Sequence, residues 1–353
     1  MRITKKAKVI SKKPTQQSGF SLLELMVSMV IFLIVSAAVW GVLRMAQQSR
    51  SAVTEEVQLA KNVRIALNLI SRDTFNAGFG YPAASTVVLP DNRISGALGI
   101  PNDFDTSRDT VPPVIAGNNI TLSTFATTAN TRTDQVTFLY KDNTFNVISG
   151  VSQPLNINAA TTTTGGIDEI VPISGSNAAC RVNDVYIVIG NTGSTLGLST
   201  ALSGTNKIQF SNGDLLGLNQ TGTTGPLRAI TTPASIQRVR MVTYMVTPDG
   251  ILTRREYANV TPAVAFVDEP LVYNVENFQV QYVMDSGAVL DNPSAGADGV
   301  AGTADDVQNN LAAVRQIRFT VSVRSTEKNS KGEPFTESMS TTVSTRNLGY
   351  EAS

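Results

Sequence analysis

The stretch Gly19-Phe20-Ser21-Leu22-Leu23-Glu24-Leu25-Met26-Val27 opens the longest apolar run of this chain and decides how the rest is read. From Leu25 to Leu43 nineteen residues pass without a charge, and from Phe20 to Leu43 the only charge is Glu24. A hydrocarbon core about 30 Å thick needs roughly 20 helical residues, so the run is long enough to span a bilayer. On its N-terminal side lie Arg2, Lys5, Lys6, Lys8, Lys12 and Lys13 with no acid; on its far side the first acids are Glu55 and Glu56. The positive-inside bias places residues 1–19 in the cytoplasm and the remainder outside.

An ordinary secretory signal has an apolar stretch of about 7–15 residues ending in a small-residue cleavage site. Ser36-Ala37-Ala38 could serve as one, but the run continues through Val39, Trp40, Val42 and Leu43. A lipoprotein signal needs a cysteine soon after the run, and the chain's single cysteine is Cys180. A plain signal anchor fits the hydropathy and leaves Glu24 unexplained. A carboxylate in a membrane helix costs on the order of a few kcal/mol and persists only with a partner. Cleavage after Gly19 would supply one: Phe20 becomes a free α-amine one helical turn from Glu24, beside the positive end of the helix dipole.

These residues resemble the processing motif of type IV prepilins, which pilins share with the pseudopilins of type II secretion. The resemblance implies that a prepilin peptidase/methyltransferase cuts after Gly19 and methylates Phe20, and that Glu24 is the docking carboxylate. The segment from Asn62 to Asp73, followed by Ala77-Gly78-Phe79-Gly80, is similar to PilW-type minor pilins and more loosely to J-type minor pseudopilins. It implies a minor pilin in the inner membrane, single-pass, with a cytoplasmic N-terminus and a periplasmic head, later carried outside in a pilus. Its partners would be other minor and major pilins and the inner-membrane lipid. A minor pseudopilin and a tip-displayed adhesin or ligand-binding module, with residues 91–180 as contact surface, are the alternative readings.

The helical pattern continues beyond the apolar run. Val53, Val57, Ala60, Arg64, Leu67 and Ile70 recur every three or four residues and are expected to form one apolar stripe, with Arg64 interrupting it. No proline occurs between Phe20 and Tyr81, and Gly78, Gly80 and Pro82 end the pattern. The expected organisation is a basic leader (1–19), a membrane half of the helix (20–43), a periplasmic half (44–80) and a β-rich head (81–353). The fold class is α+β and pilin-like: a long N-terminal helix on a largely antiparallel sheet. Expected strands are Gln135–Tyr140, Asp184–Ile189, Lys207–Phe210, Ile236–Val246, Ile251–Tyr257, Val275–Met284, Val314–Arg324 and Ser338–Arg346. Thr247-Pro248-Asp249-Gly250 reads as a hairpin turn. Residues 91–133 and 141–180, rich in Thr, Asn, Ser, Gly and Pro, read as long loops with a few short strands.

Composition narrows the function. The formal charge is zero, 28 basic against 28 acidic residues; without the six basic residues of the leader it becomes −6. That does not suit a nucleic-acid-coating protein, and no nucleic-acid partner is expected. Histidine is absent, which removes the commonest general base and metal ligand. No Ser-His or Cys-His pair is possible, and no GxxxxGK[ST] or GxGxxG occurs; Asn191 to Gly197 reads as a glycine-containing loop. The chain is expected not to be an enzyme, and Cys180 to be a small buried hydrophobe. One constellation is suited to a cofactor. Asp291, Asp298, Asp305 and Asp306 lie in a glycine-rich loop whose oxygens could hold a calcium ion. It departs from the EF-hand register, and a solvated acidic turn is the competing reading.

Overall fold

The computed structural model describes residues 19–82, 87–101, 108–126, 132–157, 159, 162–164, 168–219, 227, 230–258, 264–293, 314–328, 333–345 and 347–348. The chain divides into two compact units, Met1–Thr54 and Glu55–Ser353. The helix Leu22–Asn76 gives its first part to one and its second part to the other. The class is α+β, a long N-terminal helix and a head built on antiparallel sheet, as the sequence leads one to expect.

In the first unit apolar side chains cover every face of the helix and stay exposed, from Leu22 at 80% through Phe32 at 70% to Trp40 at 70%. A helix apolar all round belongs in a protein core or a membrane, and among the described residues nothing covers it. Gly41 lies within this helix with open space where a Cβ would stand.

In the second unit the helix is amphipathic, but its phase differs from the expected stripe. Leu59, Val63, Ala66, Leu67, Ile70 and Ala77 are buried, whereas Val53, Val57 and Arg64 face outward. Leu67 and Ile70 belong to both patterns. The buried positions also include Asp73 and Thr74, polar residues that a hydrophobic template passes over. The helix ends at Asn76, and the N–H of Ala77 just beyond it donates to the Asp73 carbonyl at 3.0 Å. Gly78 then takes φ +78°, and a Cβ there would stand 2.6 Å from the Asn347 carbonyl oxygen. Glycine is required both for the left-handed backbone and for the close approach of the chain's last described segment. Asn347 in turn donates from Nδ2 to the Phe75 carbonyl at 3.3 Å, satisfying an acceptor at the helix end.

The sheet against this helix is organised by one 13-residue strand, Ala234–Val246. Its first half pairs with Val185–Gly190 and Leu155–Ile157, and its second half with Thr133–Lys141 and Leu252–Tyr257, all antiparallel. The turn to Leu252–Tyr257 is the expected hairpin, with the Gly250 N–H donating to the Thr247 carbonyl at 2.9 Å. Eight strands make up this sheet, and a separate four-stranded sheet contains Val275–Met284, Val314–Lys328 and Pro334–Ser344. Alternation explains the latter: Ile317, Phe319, Val321 and Val323 are buried, with Arg318, Thr320, Ser322 and Arg324 between them less so. Helix and both sheets meet in one core. There Phe138 makes edge contacts with Tyr244 at 6.0 Å and Phe319 at 6.4 Å, each worth about 0.5–1.5 kcal/mol beyond area burial.

Two segments depart from the loop reading, and a third strand lies outside the expected set. Val114–Thr121 is an eight-residue strand although it contains Gly117, Asn118 and Asn119; the irregular residues are accommodated by a register shift against Thr133–Lys141. Gly193–Leu198 is a buried strand, not a glycine loop, forming a hairpin with Val185–Gly190. Phe266–Val272, with Asp268, Glu269 and Pro270, is an outer strand beside Leu252–Tyr257, a place where charge and proline are tolerated. Cys180 is 5% exposed in an apolar cluster with Phe145, Tyr186 and Phe210, and burial pushes its thiol up to about 11. It is the inert hydrophobe that composition suggests.

Candidate functional site

Residues 19–21 precede the helix, and its first intrahelical bond runs from the Leu25 N–H to the Ser21 carbonyl at 3.1 Å. Ser21 therefore occupies the N-cap position and Glu24 the third helical position, the spacing of a capping box. A carboxylate in the first turn interacts favourably with the helix dipole. Glu24 is exposed, and among the described residues its carboxylate has no hydrogen-bond or ion-pair partner. Its backbone carbonyl accepts from Ser28 Oγ at 2.7 Å. Phe20, four residues earlier, is 83% exposed, and Gly19 has open space around it. The Gly19–Phe20 peptide bond thus lies in accessible, non-helical chain immediately before an exposed apolar helix.

The second unit holds a different polar feature, a line of alternating charges that starts at Asp73 of the helix and runs across the sheet, buried at both ends and half-exposed at Arg240. Asp73 accepts from Tyr244 Oη at 2.7 Å and Arg254 Nε at 3.0 Å through Oδ2, and from Tyr140 Oη at 3.4 Å through Oδ1. Arg254 also pairs with Glu256 at 3.1 Å, and Glu256 lies 3.8 Å from Arg240. Arg240 lies 3.7 Å from Asp142, which binds Arg238 at 2.7 Å; Arg238 in turn reaches Asp184 at 2.9 Å. Strand geometry builds this line. Arg238, Arg240 and Tyr244 are spaced by even numbers on one strand, and Arg254 stands opposite Tyr244 in register.

Proton affinities follow the environment. Burial and then the Asp73 charge push Tyr244 above the usual phenol range, and the same two causes bring Tyr140 up to about 12. Burial opposes the charge of Arg254, but Asp73 outweighs it and the guanidinium is held above its usual range. Asp142 is also desolvated, yet the Thr144 N–H and Arg238 hold it below the usual carboxylate range. Both phenols and both ions stay in the forms that the pairing needs. This line is a structural tie that fixes Asp73 of the helix to the sheet. Sequence reading passed over it, although Asp73 falls on the buried period 59, 63, 66, 70, 73, 77, the one signal that marks it.

Of the suggested calcium ligands, Asp291 is exposed and accepts from Gln281 Nε2 at 2.9 Å. Asp298, Asp305 and Asp306 lie outside the described residues. Among the described residues no group of three or more His, Cys, Asp or Glu side chains is placed to hold a metal. The buried acid that feels the Asp291 charge is Asp134, whose oxygens accept from the Asn119 N–H at 2.9 Å and the Val280 N–H at 2.8 Å. Burial nevertheless pushes Asp134 up to about 6, with Asp291 adding to the rise.

Residues 14–40 fit the prokaryotic N-terminal methylation motif, a span that contains Gly19, Phe20 and Glu24 and ends at Trp40. No curated protein matches the chain. The chain therefore carries the prepilin-type motif on a helix long and apolar enough to cross a membrane. That motif implies handling by a prepilin peptidase and assembly with other pilins, and it suggests a structural role over a catalytic one.

Proposed function

We propose that this chain is the precursor of a minor type IV pilin of the PilW type, a component of a pilus tip or initiation complex that promotes assembly by helix docking. One observation carries the reading: Glu24 sits exposed in the first turn of a helix that is apolar on all faces, four residues after Phe20 and within the methylation motif. The peptidase cuts the Gly19–Phe20 bond, methylates the new amine and removes the basic leader. The mature subunit waits in the inner membrane with its head in the periplasm, and later enters the fibre. Moving an apolar helix from lipid to a neighbouring apolar helix changes little hydrophobic free energy, because lipid tails are as apolar as leucine. Direction must come from a polar term. The Glu24 carboxylate paired with the Phe20 amine of a neighbouring subunit supplies it, since both charges are costly in hydrocarbon until they meet.

Gly19→Val should leave the precursor unprocessed, seen as a band that keeps the leader's mass on a gel. Glu24→Ala should be cleaved as usual yet fall at least tenfold in sheared fibres. Normal recovery of Glu24→Ala in fibres would defeat the docking role. Recovery of this subunit with secretion pseudopilins, and not with pilins, would assign the same docking device to a type II secretion pseudopilus.

A further inference from the structure

We infer that Trp40 and Arg44 form a collar that binds the headgroup layer of a phospholipid bilayer and fixes the depth at which the helix waits. The inference rests on the membrane reading given above and goes beyond it by assigning the residues that set position. Trp40 is 70% exposed, and Arg44, also exposed, follows one turn later on the same helix face. Between Glu24 and Glu55 the only charges are Arg44 and Arg50, and the texture changes at Arg44 from an uninterrupted apolar run to Gln47, Gln48, Ser49 and Arg50.

The chemistry of the pair suits one environment. An indole has an apolar body and a single N–H donor, so it is favoured where hydrocarbon meets headgroups. A guanidinium one turn further out presents a planar donor fork that matches a lipid phosphate, and its stem can lie along the acyl boundary. Among the described residues no group covers either side chain, and the phosphate and carbonyl layer of lipid is the surface their chemistry complements. The spacing agrees. At 1.5 Å per residue Trp40 lies about 30 Å along the helix from Phe20, the thickness of a hydrocarbon core, and Glu24 lies about 24 Å from Trp40. A collar in one headgroup layer therefore sets Phe20 at the opposite layer and Glu24 about one turn inside it. The docking carboxylate then waits about one turn inside the hydrocarbon, where its charge is costly until a neighbouring amine arrives.

Trp40 is the chain's only tryptophan, so its fluorescence reports this one position without labelling. The full chain would be reconstituted into phosphatidylglycerol–phosphatidylcholine vesicles carrying a nitroxide at the headgroup, high on the acyl chain, or at the acyl terminus. The expected result is quenching at least threefold stronger from the headgroup and upper-chain labels than from the terminal label. Strongest quenching by the terminal label would overturn the collar and leave the membrane reading intact. Quenching by aqueous iodide with none from any lipid label would overturn the membrane reading itself. In Arg44→Ala the shallow-to-deep quenching ratio should fall at least twofold, and Arg44→Lys should recover part of it. An unchanged ratio in Arg44→Ala would remove Arg44 from the collar.

Discussion

Glu24 and Asp73 are two carboxylates on one helix, and their surroundings could hardly differ more. Glu24 stands exposed among apolar side chains that no protein covers; Asp73 is 1% exposed and receives two phenols and a guanidinium. The second charge is satisfied within the chain, and its contribution is to hold the helix against the sheet. The first is left available at a helix start that carries the processing motif. A carboxylate with no side-chain partner among the described residues, in an apolar helix where its charge is expensive, is the feature that motivates the intermolecular pairing proposed above.

Breaking the comparison should separate assembly from stability. Asp73→Ala removes the closest carboxylate from the buried Arg254 guanidinium, leaving it Glu256, and takes the acceptor from two buried phenols; breaking buried pairs of this kind costs about 3–5 kcal/mol. The detergent-solubilised full chain should lose that amount in denaturant unfolding, while Glu24→Ala should change it by less than about 0.5 kcal/mol. Equal losses would erase the distinction. Adding Arg254→Met to Asp73→Ala should recover part of the loss, because an apolar side chain needs no counter-charge.

Gly78→Ala tests whether the helix end is as fixed as the Asp73 tie implies. With φ at +78° and the Asn347 carbonyl in the way, about 1–3 kcal/mol should be lost in the same assay. A neutral outcome would mean that the closing segment gives way freely.

The smallest effect concerns Asp134. Its folded value of about 6 lies above the ordinary 3.8, so between those values the folded chain binds more protons than the unfolded one. Its stabilising contribution is complete below about pH 4 and is lost as pH rises through about 6. A side-chain amide does not titrate in this range, so Asp134→Asn should flatten the stability profile between pH 4 and 6 relative to the parent. Parallel profiles would refute the shift.

Legibility differed along the chain for physical reasons. The strands Val275–Met284, Ala234–Val246 and Leu252–Tyr257 showed in the sequence because alternation and a Pro-Asp-Gly turn are local signals. Val114–Thr121 and Gly193–Leu198 did not show, since glycine and asparagine there are tolerated by pairing with neighbouring strands. The inward phase of the helix's second half was misread because Val53, Val57 and Arg64 continue a regular spacing that the sheet does not use. The Asp73 tie joins residues up to 181 positions apart. No short window contains it.

The sequence by itself determined the anchor: a basic N-terminal segment, an apolar run long enough for a bilayer, and Gly19, Phe20 and Glu24 within the span that the methylation motif matches. Hydropathy and a processing motif are properties of consecutive residues, and a helix needs no distant partner to display them. Only the tertiary structure decided which face of the helix turns inward, where Asp73 finds its partners and which glycine-rich segments become strands. Those outcomes depend on which far-apart residues share a buried, low-dielectric space, where an unpaired charge or backbone group is too costly to leave.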